Sequence, residues 1–196
     1  KGEWFSTGYQ STIIGSSRTI YNIYNHKPSE FNSNTGELIS QIDDSRFMYP
    51  ISGFALNKNN QILLARNPKL EFYDGFSVAQ LIWSFDLRSN GIYNVPSRVA
   101  FSEENVVFAC FLEPLLAIDT VTGTEVWRFN PTEGCFYSAP SIGLNGDIYI
   151  KFGPPVHILP GHTIGKPTEY IGIYSLDPNT GTVNFKINLG KYIGKE

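Results

Sequence analysis

The stretch that decides the fold spans residues 117–127 and reads Ala117-Ile118-Asp119-Thr120-Val121-Thr122-Gly123-Thr124-Glu125-Val126-Trp127. The chain repeats it with changes as Ser175-Leu176-Asp177-Pro178-Asn179-Thr180-Gly181-Thr182-Val183-Asn184-Phe185. Two weaker copies lie earlier, at residues 31–40 and 72–83. Self-similarity of this kind predicts one structural unit that is used four times.

The last residues of the four copies give the size of this unit. Ser40, Trp83, Trp127 and Phe185 are separated by 43, 44 and 58 residues. A period in the low forties is typical of a four-stranded β-propeller blade, and the longer last interval indicates an insertion in the fourth unit. The sequence therefore predicts an all-β fold, a partial β-propeller of about four four-stranded antiparallel blades.

Prolines mark the strands within each unit. We expect first strands to follow Pro50, Pro96 and Pro140. Because proline cannot continue a central strand, we expect the second strands to end at Pro28, Pro68, Pro114 and Pro154. These marks place the blades at approximately residues 6–45, 46–90, 91–133 and 134–190, in one propeller segment over residues 1–196. We interpret Gly2-Glu3-Trp4-Phe5 as the outer strand of a preceding blade, so these blades are expected to belong to a larger ring.

The pattern Ala-x-Asp-x-x-Thr-Gly-x-x-x-Trp resembles the tryptophan-docking motif of the pyrroloquinoline-quinone-like, or quinoprotein-type, propellers. The third unit matches it throughout, whereas the fourth has Ser175 and Phe185 in place of Ala and Trp. The resemblance implies a ring of about eight blades and a structural role for the motif, in which the turn bonds to itself and the Trp packs between blades. The residues assigned this role are Trp83, Asp119, Gly123, Trp127, Asp177 and Gly181.

Composition argues against several classes of function. The formal net charge is −3, and Lys and Arg are scattered, so a nucleic-acid partner is not expected. No apolar stretch reaches the ~20 residues that a transmembrane helix needs. Cys110 and Cys135 form no Cys-x-x-Cys motif, and the chain contains no nucleophile elbow, phosphate loop or His-Glu-x-x-His motif. No catalytic residue is therefore assigned.

The blade-to-blade links and the insertion in the fourth unit share one end of the blades and provide a candidate binding face. Its residues are Phe47, Tyr93, Tyr137, Arg46, Arg88, Glu133, His157 and His162. The alternative interpretation is that the aromatic side chains seal neighbouring blades and the charges are solvated. His157 and His162, with Glu169, lack a recognised ligand spacing, so we predict no metal site. The adjacent cysteine pair of quinone-dependent alcohol dehydrogenases is absent, and we predict no cofactor.

These observations favour a non-catalytic β-propeller scaffold or binding domain that mediates protein–protein interaction, of the kind found in sensors and cell-envelope proteins. One alternative is a fragment of a quinone-dependent dehydrogenase, and another is a carbohydrate or peptide binding module. The expected partners are another protein, further blades of the same protein, or a second copy in a homo-oligomer. The resemblance implies an extracytoplasmic location: periplasm, cell envelope, secreted or lumenal.

Overall fold

The computed structural model describes residues 12–15, 19–24, 27–42, 51–75, 80–93, 98–102, 105–109, 114–136, 138–154 and 168–191. These residues form seventeen β-strands in four antiparallel sheets, and their only helical element is one 3-10 turn at Arg88–Asn90. The chain divides into two compact units, Lys1–Gly91 and Ile92–Glu196, each of which contains two sheets. The predicted fold class is confirmed.

The first unit contains blades 1 and 2, in which the strands pair in chain order. Blade 1 consists of β1 (Ile13–Ile14), β2 (Thr19–Tyr24), β3 (Lys27–Asn32) and β4 (Leu38–Gln41). Blade 2 consists of β5 (Gly53–Leu56), β6 (Ile62–Arg66), β7 (Lys69–Tyr73) and β8 (Leu81–Asp86). Alternate residues of the strands point to opposite faces, and the faces turned towards each other bury one core. Its residues are Tyr21, Ile23, Ile42, Ile51, Phe54, Ile62, Leu64 and Tyr73.

The second unit contains blades 3 and 4. Blade 3 consists of β9 (Arg98–Phe101), β10 (Asn105–Ala109), β11 (Leu115–Asp119) and β12 (Glu125–Phe129). Blade 4 consists of β13 (Cys135–Phe136), β14 (Ser141–Ile142), β15 (Ile148–Gly153), β16 (Tyr170–Leu176) and β17 (Val183–Lys191). β13 and β14 pair with opposite ends of β15, so together they form one interrupted first strand. The core between the blades contains Leu115, Ala117, Trp127, Phe136, Ile148, Ile150, Phe152, Tyr174 and Leu176.

The repeat is visible in the register of every blade. The four aligned residues lie on the fourth strands, where Ser40 pairs with Glu30, Trp83 with Phe72, Trp127 with Ala117, and Phe185 with Ser175. In each blade the register shifts directly after this pair. The aligned positions are therefore equivalent in three dimensions.

One strand boundary predicted from proline is wrong. Pro28 does not end the second strand of blade 1 but lies within β3, opposite Ile23. The Pro28 carbonyl accepts a hydrogen bond from the Ile42 N–H at 3.0 Å, next to the end of β4 at Gln41. The missing proline N–H therefore removes only a terminal bond of the β3–β4 ladder, which an edge position tolerates.

Candidate functional site

A hydrogen-bonded turn between the third and fourth strands recurs in blades 1, 3 and 4. In blade 4, Oδ1 of Asp177 accepts hydrogen bonds from the backbone N–H groups of Asn179 and Thr180, both at 2.9 Å, and from the Thr180 hydroxyl at 3.0 Å. The Gly181 N–H donates to the Asp177 carbonyl at 2.9 Å. Gly181 has φ +68°, a conformation that favours glycine. The polar atoms of the motif thus hold their own turn.

The same turn recurs in blades 3 and 1. Oδ1 of Asp119 accepts bonds from the N–H groups of Val121 and Thr122 and from the Thr122 hydroxyl, at 2.9, 2.6 and 2.9 Å. In blade 1 the side-chain oxygen of Asn32 accepts from the N–H groups two and three residues further along, at 2.8 and 3.1 Å. An uncharged side chain therefore builds the same backbone turn.

These hydrogen bonds lower the pKa of both aspartates below the ordinary value. For Asp119 the backbone N–H of Thr122 is the largest cause, followed by the Thr122 hydroxyl. For Asp177 the backbone N–H groups of Asn179 and Thr180 contribute most. The donors stabilise the ionised carboxylate, which is acceptor-only, more than the protonated acid.

We expect the lowered pKa values to make the fold acid-sensitive. Because both carboxylates titrate at lower pH in the folded state, their stabilisation is present above the unfolded pKa, about 3.9, and is lost as the pH falls through the folded values. The double variant Asp119→Asn/Asp177→Asn should be less stable than the wild type at pH 7, and this difference should shrink at pH 3. Urea unfolding at both pH values measures it, and an unchanged difference would contradict the assignment.

Trp127 joins the two blades of the second unit. Its side chain is 8% exposed, and its indole Nε1 donates a hydrogen bond to the Pro178 carbonyl at 2.9 Å. A Cβ atom at Gly181 would lie 2.6 Å from Cδ2 and Cε3 of the indole. The glycine therefore satisfies two requirements, the positive φ of its turn and the close approach of the ring.

Trp83 takes the equivalent position in blade 2 and is also buried. It stacks on Phe72 of β7, with ring centroids 5.2 Å apart and an interplanar angle of 27°. Stacked aromatic pairs contribute beyond the area that they bury. Both tryptophans therefore occupy packing positions, and their contribution to stability stays a prediction.

Glu133, predicted as part of a binding face, pairs with Lys186 of β17. The Lys186 ammonium group lies 4.8 Å from the centroid of the Phe152 ring and 5.9 Å from that of Tyr174. The Phe152 and Tyr174 rings in turn lie 4.6 Å apart in the core between blades 3 and 4. The carboxylate is thus engaged at the edge of this core, through a lysine partner that sequence reasoning missed.

The other predicted binding-face residues are only partly described. Arg88 lies exposed in the 3-10 turn of the first unit, and Tyr93 lies exposed near the start of the second. Those outside the described residues are Arg46, Phe47, Tyr137, His157 and His162. Glu169 pairs with Lys191 at 2.9 Å, and the described part of the chain contains no group of three metal-ligating side chains. A shared binding face therefore stays a prediction.

A buried charged cluster in blade 2 is internally satisfied. Arg66 and Glu71 form an ion pair, with the Arg66 Nε atom 2.7 Å from Glu71 Oε2. The Tyr73 hydroxyl donates to the same carboxylate oxygen at 2.8 Å. Buried charges that are paired and hydrogen-bonded in this way are structural, and we assign this cluster no chemistry.

One face of β17 presents a row of exposed apolar side chains. Alternate residues of a strand point to opposite faces, and Lys186 points towards the core between blades 3 and 4. The opposite face contains Phe185 and Ile187, which pair with Ser175 and Ile173, and the next alternate residue, Leu189; we call these three residues the blade 4 open face. Their exposure ranges from 44% at Phe185 to 60% at Leu189. This row is a candidate interaction surface.

A second apolar row crosses blade 1 in the first unit. Cα pairing places Ile14 opposite Ile20, Ile20 opposite Phe31, and Phe31 opposite Leu38. These four residues form the blade 1 open face, on the side of the sheet opposite the core residue Tyr21. Ile14 is 78% exposed, and Leu38 is also exposed.

No protein-family model and no curated protein matches the chain. Its structure is similar to that of BamB from Moraxella catarrhalis, at 13% identity and a TM-score of 0.64, over 94% of this chain and 53% of that one. It is also similar to quinohemoprotein alcohol dehydrogenase from Comamonas testosteroni, at 12% identity and a TM-score of 0.65, over 93% of this chain and 34% of that one. A third similar structure is the Pan2 WD40 domain from Neurospora crassa, at 12% identity and a TM-score of 0.64, over 91% of this chain and 51% of that one.

These similarities show the fold alone. The chain spans about half the length of the first matched structures, so its four blades form a partial propeller. The resemblance to quinoprotein-type propellers holds at the level of fold, because dehydrogenases and a WD40 domain match equally well. Within the described residues, no helix is long and apolar enough to cross a bilayer.

Sequence reasoning expected the end faces of a partial ring to be uncovered, but it named no residue of either open face. The signal for the blade 4 open face was present in residues 185–189, where apolar and polar side chains alternate. Alternation predicts a strand with one face suited to burial. It does not say whether another element of the chain covers that face.

Proposed function

We propose that this protein is a non-catalytic β-propeller scaffold whose blade faces bind other protein. The observation that carries the proposal is the blade 4 open face, three exposed apolar side chains in a row on a nine-residue strand. Soluble proteins seldom leave such a row uncovered, and exposed apolar surface of this kind is typical of protein interaction sites. The similarity to other propellers supports a scaffold but does not identify the partner.

A catalytic role has less support. The recognisable motif residues Asp119 and Asp177 are used within their own turns, and Trp127 is used between blades. The quinone-dependent dehydrogenases share only the fold, at 12–13% identity. We therefore expect no binding of pyrroloquinoline quinone with Ca²⁺ by calorimetry and no alcohol-dependent dye reduction. Either activity would favour the dehydrogenase alternative.

An extracytoplasmic location is part of the proposal and rests on the resemblance to quinoprotein-type propellers. The charge and composition are compatible with it but do not select a compartment. Fractionation of the source cells with an antibody against the chain tests the location. Recovery from the cytosol alone would remove this part and leave the scaffold role in place.

Photo-crosslinking tests the scaffold function directly. A photoreactive phenylalanine analogue at Leu189 would lie on the blade 4 open face, and the same analogue at Val121 would lie at an exposed apolar position in a turn of blade 3. In an extract of the source cells, we expect protein adducts at Leu189 and far fewer at Val121. Equal yields at both positions, or none at Leu189, would contradict an interaction role for the face.

A further inference from the structure

We propose that the blade 4 open face binds the blade 1 open face of a second copy of this chain, so that copies associate head to tail. The inference rests on the proposed function, since it names the partner of the same face. Three places in the chain carry it. Between blades 3 and 4 an aromatic ring packs on a glycine turn, whereas blade 4 has an equivalent ring without such a turn and blade 1 has an equivalent turn without such a ring.

The filled position lies between blades 3 and 4. There Trp127 sits opposite Ala117 on one blade, and its ring lies against Gly181 in the turn of the next blade. The Pro178 carbonyl of that turn accepts the indole N–H. An aromatic side chain on a fourth strand and a glycine turn on the following blade thus form the two halves of one contact.

Phe185 on the blade 4 open face is an aromatic side chain on which, among the described residues, no glycine turn packs. Phe185 occupies the register position of Trp127, opposite Ser175, but it is 44% exposed. Ser175 takes the place of Ala117, and its buried hydroxyl has no hydrogen-bond partner among the described residues. A buried hydroxyl without a partner is costly. Phe185 is therefore only partly covered, and the Ser175 hydroxyl lacks a hydrogen-bonding group.

Blade 1 carries a glycine turn without an aromatic ring on it. The turn that begins at Asn32 has the same backbone hydrogen bond as the blade 4 turn on which Trp127 packs. In it the Gly36 N–H donates to the Asn32 carbonyl at 2.8 Å. Gly36 has φ +74°, compared with +68° at Gly181. Among the described residues, no atom lies within 4 Å of a Cβ placed at Gly36, whereas the Trp127 ring lies at 2.6 Å at Gly181. The adjoining apolar row offers a surface for further contact.

The two open halves belong to different blades, so their union is a heterologous contact that joins copies in sequence. The chain spans about half the length of the first matched propeller structures, and two copies would supply eight blades. Closed propellers typically have four to eight. A second copy would therefore supply the glycine turn that Phe185 lacks. It would also bring the number of blades to that of a large ring.

Sedimentation of the whole chain tests the contact, over about 1 to 100 µM, a range that brackets micromolar dissociation constants. We expect concentration-dependent association that Leu189→Asp on blade 4 and Leu38→Asp on blade 1 each weaken by about tenfold or more, because burying an unpaired carboxylate is unfavourable. Val121→Asp, at an exposed apolar position outside both faces, should associate like the wild type. Circular dichroism confirms that each variant is folded.

A mixing experiment distinguishes head-to-tail association from a contact between two identical faces. A mixture of the Leu189→Asp and Leu38→Asp variants retains one intact pair of faces in each mixed dimer, so association should partly return. Failure to recover, or loss of association in only one of the two variants, would overturn the head-to-tail arrangement.

A monomeric wild type throughout this range would overturn the inference without deciding the proposed function. If the analogue at Leu189 still crosslinks to another protein, the scaffold role stands with a different partner. If the wild type is monomeric and Leu189 gives no adduct, both proposals fail.

Discussion

Replacing Trp127 with alanine should lower the free energy of unfolding by about 3–5 kcal/mol, the range for deleting a buried tryptophan. The substitution removes an indole that is 8% exposed and its hydrogen bond to the Pro178 carbonyl. It also leaves a cavity against Gly181, a position that carries no side chain to fill the space. Reversible urea unfolding followed by circular dichroism measures the loss.

The matched control for this variant is Phe185→Ala. Phe185 occupies the same register position on blade 4, but it is 44% exposed, and none of the described glycine turns packs on it. At a concentration where the chain is monomeric, its removal should cost less than about 1 kcal/mol, as expected of an exposed side chain. Equal losses in the two variants would show that the residue type, and not docking, determines the cost.

The turn that receives Trp127 was predictable because local chemistry dictates it, whereas the docking of the ring on that turn was implied by the family resemblance. The spacing of Asp177, Thr180 and Gly181 allows the turn to bond to itself, and the same hydrogen bonds recur in blade 3. Such bonds join residues two to four positions apart, so a sequence pattern records them directly. The positive φ at the glycine follows from the same turn.

Contacts between distant residues were not predictable in this way. Glu133 was assigned to a solvent-facing site because its partner Lys186 lies 53 residues further along the chain, on a strand whose facing direction the sequence leaves undecided. Pro28 was placed at a strand end because the proline rule does not say which position of a ladder can do without its N–H. Uncovered end faces were expected of a partial ring, but the residues that form them depend on the register of the strands, which the sequence does not give.

Replacing Gly181 with alanine should be the second most damaging change, because it combines two costs. The left-handed backbone at φ +68° costs an L-residue about 1–2 kcal/mol, and a methyl group 2.6 Å from the Trp127 ring adds about 1–3 kcal/mol of overpacking. At a concentration where the chain is monomeric, Gly36→Ala isolates the first cost, since Gly36 has φ +74° and no described atom near its Cβ position. In a Trp127→Ala background the methyl group has room, so Gly181→Ala should then cost no more than Gly36→Ala. An undiminished cost in that background, measured by urea unfolding, would show that the ring is not what the glycine accommodates.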